Sequence, residues 1–167
     1  MAGRMIVALA LATLVAACNN TPDTRDLCER TFVPYPDLVT GRVVIGHQKL
    51  LLSGMEAYGA GDYAKAVEDL EDYLKTPNKK RYAHLYLASS YLALGKPFEA
   101  ELHLDHLENS TLAESYRDQT EWYTVVCWVC SGQLDRALAG ARRIAEGRRH
   151  TYQREAEQLV KELGKGG

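Results

Sequence analysis

No glycine-rich phosphate loop, HExxH pair or Gly-x-Ser-x-Gly turn occurs in this chain of 167 residues. Those arrangements would point to nucleotide, zinc-hydrolase or serine-nucleophile chemistry. Serines are few, and no catalytic residue is expected. A basic excess is missing too: 20 Lys and Arg stand against 22 Asp and Glu, a net charge of −2. A protein that grips nucleic acid through its phosphates carries the opposite balance, so no nucleic-acid partner is expected. The longest apolar run, Met5 to Ala17, has 13 residues, whereas a helix needs roughly 20 to cross a bilayer. Cys127-Trp128-Val129-Cys130 is a CxxC without a second pair to complete a zinc site, and Ser131 stands where c-type haem attachment needs histidine. No cofactor and no metal are expected.

What the chain does have is a repeat. Gly61-Asp62-Tyr63-Ala64-Lys65-Ala66 is answered by Gly95-Lys96-Pro97-Phe98-Glu99-Ala100 and again by Gly132-Gln133-Leu134-Asp135-Arg136-Ala137, a step of 34 residues and then 37. Around each copy the apolar period is helical. Leu50, Leu51, Gly54, Ala57 and Tyr58 share one face before the first glycine. Asp62 is placed as an N-cap, and Ala66, Leu70 and Tyr73 follow on the second helix. Pro77 should end that helix, and Pro97 should sit in the first turn of its counterpart, where a missing N–H is harmless. Leu87, Ala88 and Tyr91, then Ala100, Leu104 and Leu107, form the second pair. Val125 and Trp128, then Ala137, Ala141 and Ile144, form the third. Ala156, Leu159, Val160 and Leu163 make one stripe on a last helix over about 151–163. Ala66, Ala100 and Ala137 mark close helix contacts, while Tyr91 and Trp128 fill gaps between successive pairs.

A 34-residue period of helix pairs with Gly in the turn and Ala just inside the second helix resembles the tetratricopeptide repeat (TPR) family. The resemblance covers about 46–164 and implies an all-α, right-handed α-solenoid of three TPR hairpins (47–80, 81–114, 118–151) plus a C-terminal capping helix. In that family the first helices line a concave face. Carried over, the partner-binding groove comprises Gln48, Leu51, Met55 and Tyr58, then Tyr82, Leu85, Ser89 and Leu92, then Gln119, Trp122, Val126 and Val129. Leu51 and Met55 stand where carboxylate-clamp members carry Lys and Asn, so a peptide or helix of mixed character is expected instead. The other reading is that the segment Phe32-Val33-Pro34-Tyr35-Pro36, which its prolines keep from being helical, docks there as an extended strap.

Arg4 followed by the Met5–Ala17 run has the form of a signal peptide. Its end, Val15-Ala16-Ala17-Cys18, resembles a bacterial lipobox. The resemblance implies removal of 1–17, lipidation of Cys18, and a tether and extended Pro-containing segment over 18–45. Asn19 carries no retention signal of the Asp type, which leans toward the outer membrane, facing the periplasm. Together these resemblances imply a membrane-anchored lipoprotein that works as a protein–protein adaptor in an envelope assembly. The alternatives are a lipoprotein that binds a small ligand, peptide or cell-wall fragment, or a redox or metal-binding envelope protein.

Of the remaining cysteines, Cys127 and Cys130 are read as two small buried helix residues, with a disulfide to Cys28 as the alternative. Glu99, His103 and His106 share a helix face but are read as outward-pointing surface. Acidic residues gather in the first pair (Glu56, Asp62, Glu68, Asp69, Glu71, Asp72). Arginines gather at the far end (Arg136, Arg142, Arg143, Arg148, Arg149, Arg154). The basic end is read as a solvated helix face, with contact to an acidic partner or anionic lipid headgroups as the alternative.

Overall fold

The computed structural model describes residues 23–41 and 48–164, so the leader, Cys18 and the start of the tether lie outside the described residues. Among the described residues the regular structure is entirely helical. The order is α1 (Thr24–Thr31), α2 (Lys49–Gly59), α3 (Tyr63–Leu74), α4 (Ala83–Ala93), α5 (Pro97–Glu108), α6 (Arg117–Cys130), α7 (Leu134–Glu146) and α8 (Gln153–Leu163). A short 3-10 turn, Glu114–Tyr116, leads into α6. Helices pair as α2 with α3, α4 with α5 and α6 with α7. The pairs join through α3 on α4 and α5 on α6, and α8 closes the far end against α7.

The repeated glycines are the chemical cause of the pairing. Gly61, Gly95 and Gly132 all have positive φ, of 77°, 70° and 76°, a region that costs other residues steric strain. At each one the next residue's N–H reaches back five residues: Asp62 to the Ala57 carbonyl, Lys96 to Tyr91 and Gln133 to Trp128, at 2.9, 2.8 and 2.8 Å. The glycine N–H itself bonds three residues back, to Tyr58, Leu92 and Val129. That is one Schellman turn used three times, satisfying helix-end carbonyls that would otherwise lack donors. Asp62 caps α3 as expected, accepting from the Lys65 N–H at 3.1 Å. Pro97 occupies the first turn of α5, and α3 has ended by Leu74, before Pro77.

Ala66, Ala100 and Ala137 are completely buried. Tyr91 and Trp128 lie between successive pairs and each reaches a carboxylate on the preceding outer helix. The Tyr91 hydroxyl donates to Glu71, and Trp128 Nε1 donates to Glu101 at 2.8 Å. Arg136 lies over the Trp128 ring, 4.5 Å from its centroid. Two further small residues, Gly54 and Gly140, mark where helices approach most closely. A Cβ built at Gly140 would sit 2.6 Å from Val125 Cγ2 and 2.9 Å from a Trp128 ring carbon. Gly140→Ala gains up to about 1 kcal/mol in helix propensity but overpacks the α6–α7 contact at roughly 1–3 kcal/mol. The expected outcome is a lower melting temperature, and a rise in a thermal melt would show that contact to be loose.

One expectation needs correction here. Thr24 to Asp26 is not part of a tether, since Thr24–Thr31 is helix α1, started by Asp23 accepting from the Arg25 N–H at 3.0 Å. Its only buried residue is Leu27. With one inward side chain, α1 has almost no periodic signature and depends on what it packs against, which is α6. Asp69, one of the acidic residues of the first pair, is buried, accepting from Lys65 Nζ and Ser53 Oγ at 2.6 Å each. Those bonds hold its carboxyl below the usual carboxylate range.

Candidate functional site

The inner face made by α2, α4 and α6 is occupied by the chain itself. Leu51, Met55, Tyr58, Leu85, Ser89, Leu92, Trp122, Val126 and Val129 are buried, while Gln48, Tyr82 and Gln119 are half-buried. Residues 32–38 cross this face without regular structure and end in a turn at 39–41, so the segment Phe32 to Pro36 lies where the strap reading had it. Tyr35 is buried at its centre, edge-on to Tyr86 and Tyr123 with ring centroids 5.5 and 6.2 Å away.

An extended backbone on a helical surface has no neighbouring strand to satisfy its polar groups, so side chains must do so. The Tyr35 N–H donates to Ser89 Oγ at 3.0 Å, and the Tyr35 carbonyl accepts from the Tyr58 hydroxyl at 2.5 Å. Ser89 and Tyr58 are themselves 2.8 Å apart. A single direction of donation, from Tyr35 N–H to Ser89 to Tyr58 and back to the Tyr35 carbonyl, closes the ring. The Leu38 N–H donates to the Tyr86 hydroxyl at 3.1 Å, and the Tyr123 hydroxyl donates to the Val33 carbonyl at 2.8 Å. Burial pushes the Tyr58, Tyr86 and Tyr123 hydroxyls well above the ordinary tyrosine range, so they remain protonated donors. Sequence reasoning placed Tyr58 and Ser89 on this face but missed their role. The signal was a buried serine at the middle of an otherwise apolar stripe, a group that must find a partner.

The helix that leads into the strap is fastened covalently. Cys28 on α1 is bonded to Cys130 at the end of α6, 102 residues away. This corrects the reading of the CxxC as two unbonded cysteines. Cys130 faces α1, while Cys127, one helical turn earlier, is buried and free. Burial raises the Cys127 thiol far above its usual range, which removes the thiolate that a redox site would need.

His103 is the other correction, because it is half-buried and not outward-facing. It stacks on Tyr91 at 5.4 Å, and its Nδ1 lies 3.0 Å from Nδ1 of His84. His106 completes the cluster, 5.1 Å from His84 between ring centroids. Among the described residues no group of three or more His, Cys, Asp or Glu is arranged to hold a metal ion. Burial first, then the neighbouring His103, His106, Arg81 and Lys79, depresses His84 to about 4. Burial also lowers His103, against the opposing pull of Glu71. Both are lowered relative to the unfolded state, so the unfolded chain binds more protons below about pH 6.5. Stability is therefore complete above that pH and falls as pH drops toward 4. The expected loss is about 1–2 kcal/mol across this window for these partly solvated rings. Urea melts of a His84→Gln, His103→Gln variant should lack that slope, and an unchanged slope would overturn the assignment.

Two surface features remain uncovered. Phe98 and Leu102, one turn apart on α5, form an exposed apolar stripe, 64% and 56% exposed, and Leu94 is exposed at the C-cap of α4. A cleft of about 860 Å³ lies between α1 and the α4–α5 turn, lined by Cys28, Phe32, Tyr63, Leu92, Leu94 and Pro97 among others. Among the described residues no helix is long and apolar enough to cross a membrane. Comparison with family models, with curated proteins and with solved structures finds no match to this chain.

Proposed function

We propose that this chain is a non-catalytic interaction scaffold of the tetratricopeptide type. Its three hairpins and cap form a right-handed solenoid, tethered through an acylated Cys18 in the bacterial envelope and holding a partner protein within an assembly. The observation that carries this reading is the α5 stripe. The outward side chains of α3 and α7 include Lys65, Glu68, Asp72, Arg142 and Arg143, whereas α5 turns Phe98 and Leu102 to solvent. A contiguous apolar patch on an outer helix is where a soluble fold meets another surface. The partner is thus met on the outside of the array, because the inner face is filled by the strap.

The test is crosslinking and recovery of partners from membranes carrying the full chain. A Phe98→Asp, Leu102→Asp variant that keeps its helical circular dichroism should lose partners that the parent retains. Recovery of an identical set would sink the stripe as the contact surface. Cys18→Ser should move the protein from the detergent phase to buffer, and continued partitioning into detergent would sink the anchor.

A second reading, a lipoprotein that binds a small apolar ligand, is favoured by the cleft beside the disulfide, whose volume falls in the usual range for ligand sites. Tyr63→Trp in that wall should report ligand entry by fluorescence if this reading holds, and should leave partner recovery unchanged if the scaffold reading holds.

A further inference from the structure

The cleft between α5, α6 and α7, on the opposite side of the array from the strap, has a volume of about 390 Å³. Glu101, Asp105 and Glu108 stand at i, i+4 and i+7, which places them on one face of α5. Glu121 adds a fourth carboxylate from α6, and Arg136 and Arg143 of α7 stand on the other wall. Glu101 and Arg136 are already committed, Glu101 accepting from Trp128 and lying 3.7 Å from Arg136. Glu121 has a carboxylate oxygen 3.4 Å from Nε2 of His150. Asp105 and Glu108 have no ion pair among the described residues. At the floor lies Thr120, 5% exposed, whose hydroxyl has no hydrogen-bond partner. A buried hydroxyl left unpaired is uncommon and calls for an explanation.

From this arrangement we infer that the α5–α6–α7 cleft binds an elongated organic cation bearing ammonium or guanidinium groups. The carboxylates do not converge on one point, which agrees with the lack of a metal-holding group among the described residues. They are strung out along α5, about 6 and then about 4.5 Å apart along the axis at roughly 1.5 Å rise per residue. Such a row matches successive N–H donors on a linear ligand better than it matches a single ion. The Thr120 hydroxyl supplies an acceptor for one further N–H at the inner end. Two sources share this chemistry: a free polyamine and a run of Lys or Arg side chains on a peptide. The inference goes beyond the scaffold reading and needs neither the anchor nor the α5 apolar stripe.

The test is calorimetric titration of the detergent-solubilised full chain at low salt, with spermidine in one arm and a blocked triarginine peptide in the other. At least one probe should bind saturably. Asp105→Asn, Glu108→Gln should weaken it by about tenfold or more, because charge-assisted hydrogen bonds are lost. The distant Asp72→Asn control should bind as the parent does. Thr120→Val separates a ligand contact from a structural role: it should keep or raise the melting temperature, since no bond is lost, while weakening binding. Binding in one arm only identifies the source. Absence of saturable binding in both arms, or equal weakening by Asp72→Asn, overturns the site. So does unchanged affinity in Thr120→Val.

Discussion

Replacing Cys28 and Cys130 by alanine is expected to cost about 2–5 kcal/mol of unfolding free energy, the largest loss for any change outside the central core. The bond closes a loop with a sequence separation of 102 residues. Chain-entropy arguments give about 4.7 kcal/mol for a loop of that size, with shortfalls common because unfolded chains keep residual structure. Here the loss should also be uneven. With only Leu27 buried, α1 has little reason to stay on α6 without the bond. Hydrogen exchange should then show α1 opening well below the global free energy, while α4 and α6 keep theirs. Reductant should reproduce the effect in the parent and do nothing in the Cys28→Ala, Cys130→Ala variant. If urea melts of the parent and that variant coincide, the disulfide is not a structural fastener.

Trp122→Ala is expected to destabilise the fold by roughly 3–5 kcal/mol, the usual cost of emptying a buried aromatic site. Trp122 is only 4% exposed and stacks on Tyr152 at 5.7 Å with an interplanar angle of 11°. It thereby joins α6 to the residues leading into α8. On family resemblance alone this side chain would be a binding anchor, and an alanine variant that lost a partner would seem to prove it. The structure makes that experiment ambiguous, because the variant loses much of its core. Trp122→Phe retains a ring to stack and should recover part of the loss. A denaturation midpoint unchanged in Trp122→Ala would mean that the ring faces outward after all.

These two cases show what could be read early and what could not. The turns were legible because Gly61, Gly95 and Gly132 answer a local requirement, a positive φ, which few other residues meet. The same holds for Asp62 as a cap, Pro97 in a first turn and the α8 stripe, each of which depends on neighbours within a turn or two. The inner face was legible only as apolar. Leu51, Met55 and Val126 would look the same beneath a partner's helix or beneath residues 32–40, because hydrophobic burial has no direction and names no occupant. His103 was misplaced for a related reason: helical spacing says which side chains share a face, while Tyr91 and His84 on a neighbouring helix decide how far that face is covered.

By itself, the sequence determined an all-helical chain with three equivalent turns, since capping, glycine conformation and apolar period act within a few residues. Only the tertiary structure decided that Cys130 pairs with Cys28, that Tyr35 closes a ring of hydrogen bonds with Ser89 and Tyr58, and that Thr120 is left without a partner. Those outcomes join residues dozens of positions apart. They depend on which surfaces come together when the chain satisfies its backbone and excludes water, and no local pattern encodes that.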